Sequence, residues 1–281
     1  MRLCLTLASL VLLLPPPLRA QARDLQNAAP PLPNGQTQEQ RGRQLLDQMI
    51  AALGGPAWLS RHTSSEYGRT AAFFRGAPTG QTIDFTELRQ LHTAAQPPLE
   101  RIGFLTDKSM ILPGKKIDVV QIWTADNGYE ITYKGKTTLP REQVEDYLRR
   151  RAHSIEAVVF TWIKAPGVIV VAEGASMVER HLAEKFTVLS DNNDAVTIEL
   201  DVTTHLPLAR TFEWRNQQFK DHDQDREEYD DYHDFGGLPT PLTLSRYRNG
   251  DLVNQRFLSK VEYNAPLDPN TFNPDVVLKK K

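Results

Sequence analysis

Asn127-Gly128 and Asn249-Gly250 each lie between two strand-like runs, and together they constrain this chain more than any other feature. Asn-Gly accepts the positive φ angles of a tight hairpin turn, so each pair predicts adjacent antiparallel strands. Upstream of the first pair, residues 66–75, 81–91, 100–105 and 116–123 are rich in β-branched and aromatic residues, with Gly or Pro clusters between most of them. Downstream, Val196, Ile198, Leu200 and Val202 alternate with Thr197, Glu199 and Asp201. Leu208, Phe212 and Trp214 share one face of the next strand.

Two helical stretches interrupt these strands. Leu45, Leu46, Met49, Ile50 and Leu53 fall at helical spacing, and Gly54-Gly55 ends the run. After Pro140, an apolar stripe of Val144, Tyr147, Leu148, Ile155, Val158, Val159 and Trp162 predicts one long amphipathic helix ending at Pro166-Gly167. Arg149, Arg150, Glu156 and Lys164 form its polar face, and His153 falls on the surface. Arg151 stands on the stripe itself, as a snorkelling stem or as a ligand headgroup contact. Helices between blocks of antiparallel strands, without βαβ alternation, indicate an α+β fold. Trp123, Trp162 and Trp214 read as core residues.

Arg2, the apolar run 3–14, Pro15-Pro16-Pro17 and Ala20-Gln21-Ala22 have the order of a secretory signal peptide cleaved after Ala22. That predicts an exported, periplasmic protein. No later run reaches the roughly 20 apolar residues of a membrane span. Cys4 is the single cysteine, so a chain cleaved there carries no disulfide, thiolate nucleophile or Cys-based metal site. It has 31 basic and 35 acidic residues, which argues against a nucleic-acid partner. The expected organisation is signal peptide 1–22, flexible leader 23–40, one domain 41–275 and a basic tail 276–281.

No nucleophile elbow, zinc-protease motif, phosphate loop or dinucleotide fingerprint is present, and no cofactor is implied. Residues 220–237, KDHDQDREEYDDYHDFGG, are the densest ionisable stretch. Asp221, Asp223 and Asp225 have calcium-loop spacing, but Arg226 occupies the glycine position and Tyr232 the bidentate Glu position. His222 and His233 remain weak metal candidates. The simpler reading is an extended edge strand with its charges in water, Phe219, Tyr229, Tyr232 and Phe235 touching the sheet.

Several corners resemble the LolA-like family of bacterial envelope proteins. They are Thr204-x-Leu206-Pro207, the turn from Tyr232 through Gly236-Gly237 to Pro241, the Asn249-Gly250 hairpin, and the closing Asn264, Pro266, Leu267, Asp268, Phe272 and Pro274. The resemblance implies a strongly curved antiparallel sheet, an unclosed barrel, with helices covering its concave face. It further implies a non-enzymatic carrier that takes a lipid, or the acyl chain of a lipoprotein, between sheet and helices, with other envelope proteins as possible partners. The alternating strands and the helical stripe nominate Leu148, Ile155, Trp162, Ile198, Leu200, Phe212 and Trp214 as lining, with Arg151 as headgroup candidate. Two other readings stay open: a structural or protein-binding module, and a metal-dependent envelope hydrolase using His222 and His233.

Overall fold

The computed structural model describes residues 35–80, 82–93, 96–107, 114–216 and 221–275. The expected signal peptide, most of the leader, Phe219 and the basic tail lie outside the described residues. The first half of the domain holds α1 (Gln38–Ala52), α2 (Pro56–Leu59), β1 (Thr63–Phe74), β2 (Ala77–Pro78), β3 (Ile83–Gln90), β4 (Leu99–Asp107), β5 (Lys115–Trp123), β6 (Gly128–Thr132) and β7 (Gly135–Thr138). A helical link follows, made of α3 (Arg141–Ala152), α4 (Ile155–Phe160) and a 3-10 turn at Trp162–Lys164. The second half is β8 (Ile169–Val178), β9 (His181–Leu189), β10 (Ala195–Asp201), β11 (Pro207–Arg215), β12 (His222–Asp234), β13 (Pro239–Arg248) and β14 (Asp251–Tyr263).

All pairings are antiparallel, in the order β7-β6-β5-β4-β3-β1-β14-β13-β12-β11-β10-β9-β8, with β2 attached to β1. Two meanders are thus sealed at the centre by pairing of β1 with β14. The outermost strands β7 and β8 are neighbours in the chain but lie at opposite edges of the sheet. Residues 139–168 must therefore cross from one edge to the other, which lays α3 and α4 over the concave face. The result is the expected α+β half-barrel, a curved antiparallel sheet left unclosed.

Helix α1 starts earlier than the leader reading allowed. Thr37 caps it in a reciprocal box with Gln40, so ordered structure precedes residue 41. Its buried stripe of Leu45, Leu46 and Met49 joins Val158, Phe186, Val188, Ile198, Leu200 and Phe212 in the main core. Arg41 clasps Glu184 on β9 at 2.5 Å and fixes the helix azimuth.

The single helix expected after Pro140 is two helices. Ser154 accepts from the Ala157 amide at 3.1 Å and caps a new helix, breaking the run at His153-Ser154. The break turns His153 inward. It is 7% exposed, stacks on Phe212 at 4.2 Å and bonds Asp194 at 2.9 Å, so the surface reading of His153 is overturned.

The acidic run is not an edge, although Asp221, Asp230, Asp231 and Asp234 stand exposed and Tyr229 and Phe235 touch the sheet core as expected. β12 is an interior strand between β11 and β13, and its less exposed carboxylates meet arginines of β11, β13 and β12 itself. Asp225, 0% exposed, lies 3.2 Å from Arg210 and 3.0 Å from Arg246, while Arg226 holds Glu228 and Arg248 holds Asp223.

Both expected hairpins form. Asn249 and Gly250 take φ of 51° and 85°, the geometry that Asn-Gly favours. At the other, neither Asn127 nor Gly128 has positive φ; Gly128 is required because a Cβ there would lie 2.6 Å from the Trp123 ring. Val202 falls in the turn after β10. A register shift at Glu199/Leu200 sends Leu208 into a separate cluster with Val178 and Ala183, away from Phe212. Among the described residues no helix is long and apolar enough to cross a membrane.

Candidate functional site

Between the central strands and α3–α4 lies a cavity of about 270 Å³. Leu53, Trp58, Leu91, Ile155, Leu244 and Leu258 give it apolar walls, and Tyr147, Tyr229, Tyr232 and Tyr263 contribute rings with polar tips. Its floor is charged, which sets it apart from the dry core beside it.

The charge comes from six strands, β1, β3, β4, β14, β11 and β12. Glu66 on β1 is the direct partner of Glu87 on β3, and Arg89 on β3 is the direct partner of Glu100 on β4. Arg256 from β14 contacts Glu87 and lies 3.6 Å from Glu66; Arg89 lies 3.4 Å from Glu66 and 3.9 Å from Glu156. Burial works to raise the Glu87 carboxyl, but Arg256 and Arg89 hold it below the usual carboxylate range. Burial, reinforced by Glu87, raises Glu66.

Glu100 is different. It makes no salt bridge among the described residues; it accepts from the Tyr147 hydroxyl at 2.9 Å and shares a hydrogen bond with Glu87. Stacking of Tyr147 on Trp123 at 3.9 Å aims that hydroxyl. Burial, helped by the Glu87 charge, pushes Glu100 up to about 8. It is a neutral acid at neutral pH.

At the far end Arg210, 2% exposed, lies 3.2 Å from Asp225 and 3.4 Å from Glu227, and Tyr229 donates to Glu227 at 2.8 Å. Burial works to lower the guanidinium, but the Glu227 and Asp225 carboxylates outweigh it and raise it further. Its Nε and Nη1 nonetheless have no hydrogen-bond partner, and Glu87 Oε1 has none at the opposite end. A buried polar atom left unpaired costs about 1–3 kcal/mol. Three such atoms along one chamber indicate room reserved for polar atoms of something else.

Of the residues nominated from sequence, Ile155 and Arg151 line this cavity. Ile198, Leu200 and Phe212 are sealed in the core beneath α1 and α4, with Trp162 and Trp214 packed against that core from its margin. Leu148 faces a more open recess beside the cavity, shared with His92, Pro98 and Arg151. Arg151 donates to the backbone oxygens of Pro98, Thr124 and Ala125, so its guanidinium clamps α3 to two loops. Arg150 and Glu156, assigned to a polar outer face, instead line the cavity.

His222 and His233 stand at opposite ends of β12, about 35 Å apart at the strand rise. His233 bonds only Asp231, and among the described residues no group of three His, Cys, Asp or Glu could hold a metal ion.

Sequence reasoning missed Glu66, Glu87, Glu100 and Arg256. The signal was present: in residues 85–89 the inward series is Phe85, Glu87, Arg89, an alternation that turns from apolar to ionic.

No family model matches the chain, and no curated protein matches it in sequence. Solved structures do. A putative outer membrane lipoprotein-sorting protein domain from Vibrio parahaemolyticus, 12% identical, superposes over 84% of this chain and 97% of its own at a TM-score of 0.53. A DUF1329 family protein from Desulfovibrio piger, 10% identical, matches over 85% and 98% at 0.55. The fold is LolA-like. A LolA superfamily protein from Nitrosomonas europaea, 9% identical over 82% and 96%, stands at 0.46. At these identities the likeness concerns the fold alone.

Proposed function

We propose that this is an exported, non-enzymatic envelope protein that binds an amphiphile, a lipid or an acylated protein, between the sheet and the α3–α4 cover. The observation that carries the reading is the cavity itself, with an apolar wall of Leu53, Trp58 and Ile155 facing a floor of incompletely paired charges. A ligand with a greasy part and a polar part satisfies both surfaces. The seam between α4 and β10–β11 is closed: Val158, Val159, Ile198 and Phe212 share the buried core, so an acyl chain enters there only as α4 lifts, apolar contact for apolar contact. Each methylene buried returns about 0.8 kcal/mol. The cover is suited to such movement because it is segmented at Ser154 and again after Phe160. Export rests on the signal-like residues 1–22.

Ile155→Glu tests this. It places a charge on the apolar wall one residue after the Ser154 cap, and it abolishes uptake of a fluorescent acyl probe by a chain whose far-UV circular dichroism is unchanged. Undiminished uptake by that variant contradicts the assignment.

A further inference from the structure

Glu66 and Glu87 are direct cross-strand partners, and Glu100 is the diagonal neighbour of Glu87 on the same face. Like charges placed opposite one another destabilise a sheet. Departures from local rules of this kind concentrate at functional sites. Three carboxyls here face two guanidiniums, those of Arg89 and Arg256. From the covering helices, Glu156 on α4 is matched by Arg61, Arg150 is drawn to Asp146, and Arg151 is bound to backbone oxygens. With Glu100 ionised as well, the cluster would lack one cation.

Its one spare donor is the proton on Glu100. Glu87 Oε1, in a side chain that is 0% exposed and borders the cavity, has no nitrogen or hydroxyl donor among the described residues within hydrogen-bond reach, with Arg89 standing 4.0 Å away. Glu100 accepts from the Tyr147 hydroxyl and, when protonated, bonds Glu87.

We propose that Glu87 and Glu100, with Glu66 behind them, form a cation subsite that receives the primary ammonium of an amphiphilic ligand. The inference rests on the amphiphile-binding reading above. An ammonium offers three donors and no acceptor, so it serves Glu87 Oε1 and an ionised Glu100 at once and supplies the missing charge. A hydroxyl brings donors without charge, and an anion meets three carboxyls. In the empty chamber a proton on Glu100 takes the place of the ammonium, since burial pushes that carboxyl up to about 8. Binding of the amine exchanges one for the other.

The test is calorimetric titration of the full chain with decylamine, decanol and decanoate, each below its micelle concentration, at about pH 6 and about pH 9. A primary amine with a lysine-like pKa of about 10.4 stays charged at both. Decylamine binds tightest, and its affinity rises about a hundredfold between the two pH values, because only molecules with ionised Glu100 are competent. Glu100→Gln keeps the neutral shape and leaves decanol binding unchanged, but removes both the pH rise and the preference for the amine. Decanol or decanoate binding as tightly as decylamine, or a pH rise that survives in Glu100→Gln, overturns the subsite and leaves the amphiphile reading standing. Failure of all three to bind overturns both.

Discussion

Glu66 and Glu87 stand directly opposite each other on β1 and β3, both turned into the concavity, and Arg256 reaches from β14 to touch the pair. The sheet tolerates this repulsion only while the guanidinium is present. Arg256→Met therefore lowers unfolding free energy by about 3–5 kcal/mol, the loss typical of a buried charge deprived of its partner. Urea denaturation reads it. Adding Glu87→Met to the same chain recovers much of the loss, because two apolar side chains leave no orphaned charge between them.

Glu100 makes the empty protein lose stability as pH rises from about 4.5 to about 8. Burial, helped by the Glu87 charge, raises the folded Glu100 carboxyl from the ordinary 4.5 to about 8, so the folded chain holds a proton that the unfolded chain releases. Its contribution is complete below the unfolded value and is lost as pH climbs through the folded one. Melting temperature followed across that window falls in the wild type, and Glu100→Gln removes the Glu100 share of the fall.

At the helix break, Ser154→Ala removes the cap of α4 and costs about 1 kcal/mol. His153→Phe keeps the stack on Phe212 but loses the bonds to Asp194 and to the Arg149 oxygen, for about 1–2 kcal/mol. Both move the urea midpoint without changing its slope.

Strands with one wet face were legible in the sequence. Val196, Ile198 and Leu200 alternate because one side is fully buried, and all three are 0% exposed. The helix break was not legible: the i, i+3, i+4 stripe continues across His153-Ser154 as though the helix did, and the Ser154 cap is a local signal easily outvoted by periodicity. The site was illegible for a different reason. Glu87 and Arg256 are 169 residues apart, and Asp225 finds Arg210 and Arg246 on two other strands. Counting charge along residues 220–237 registered the carboxylates and missed the arginines that topology brings to them. Ile198, Leu200 and Phe212 were correctly read as inward, yet inward positions on this sheet divide between a closed core and an ionic cavity, and periodicity cannot tell the two apart.

The central claim is that the space beneath α3 and α4 holds an amphiphile. Native mass spectrometry of the full chain, expressed with its own leader and purified without detergent from the cell envelope, tests it most directly. The account predicts a discrete added mass that organic solvent extracts as lipid and that is absent from Ile155→Glu. A bare polypeptide mass in the wild-type protein, unchanged after incubation with envelope lipids, would contradict it.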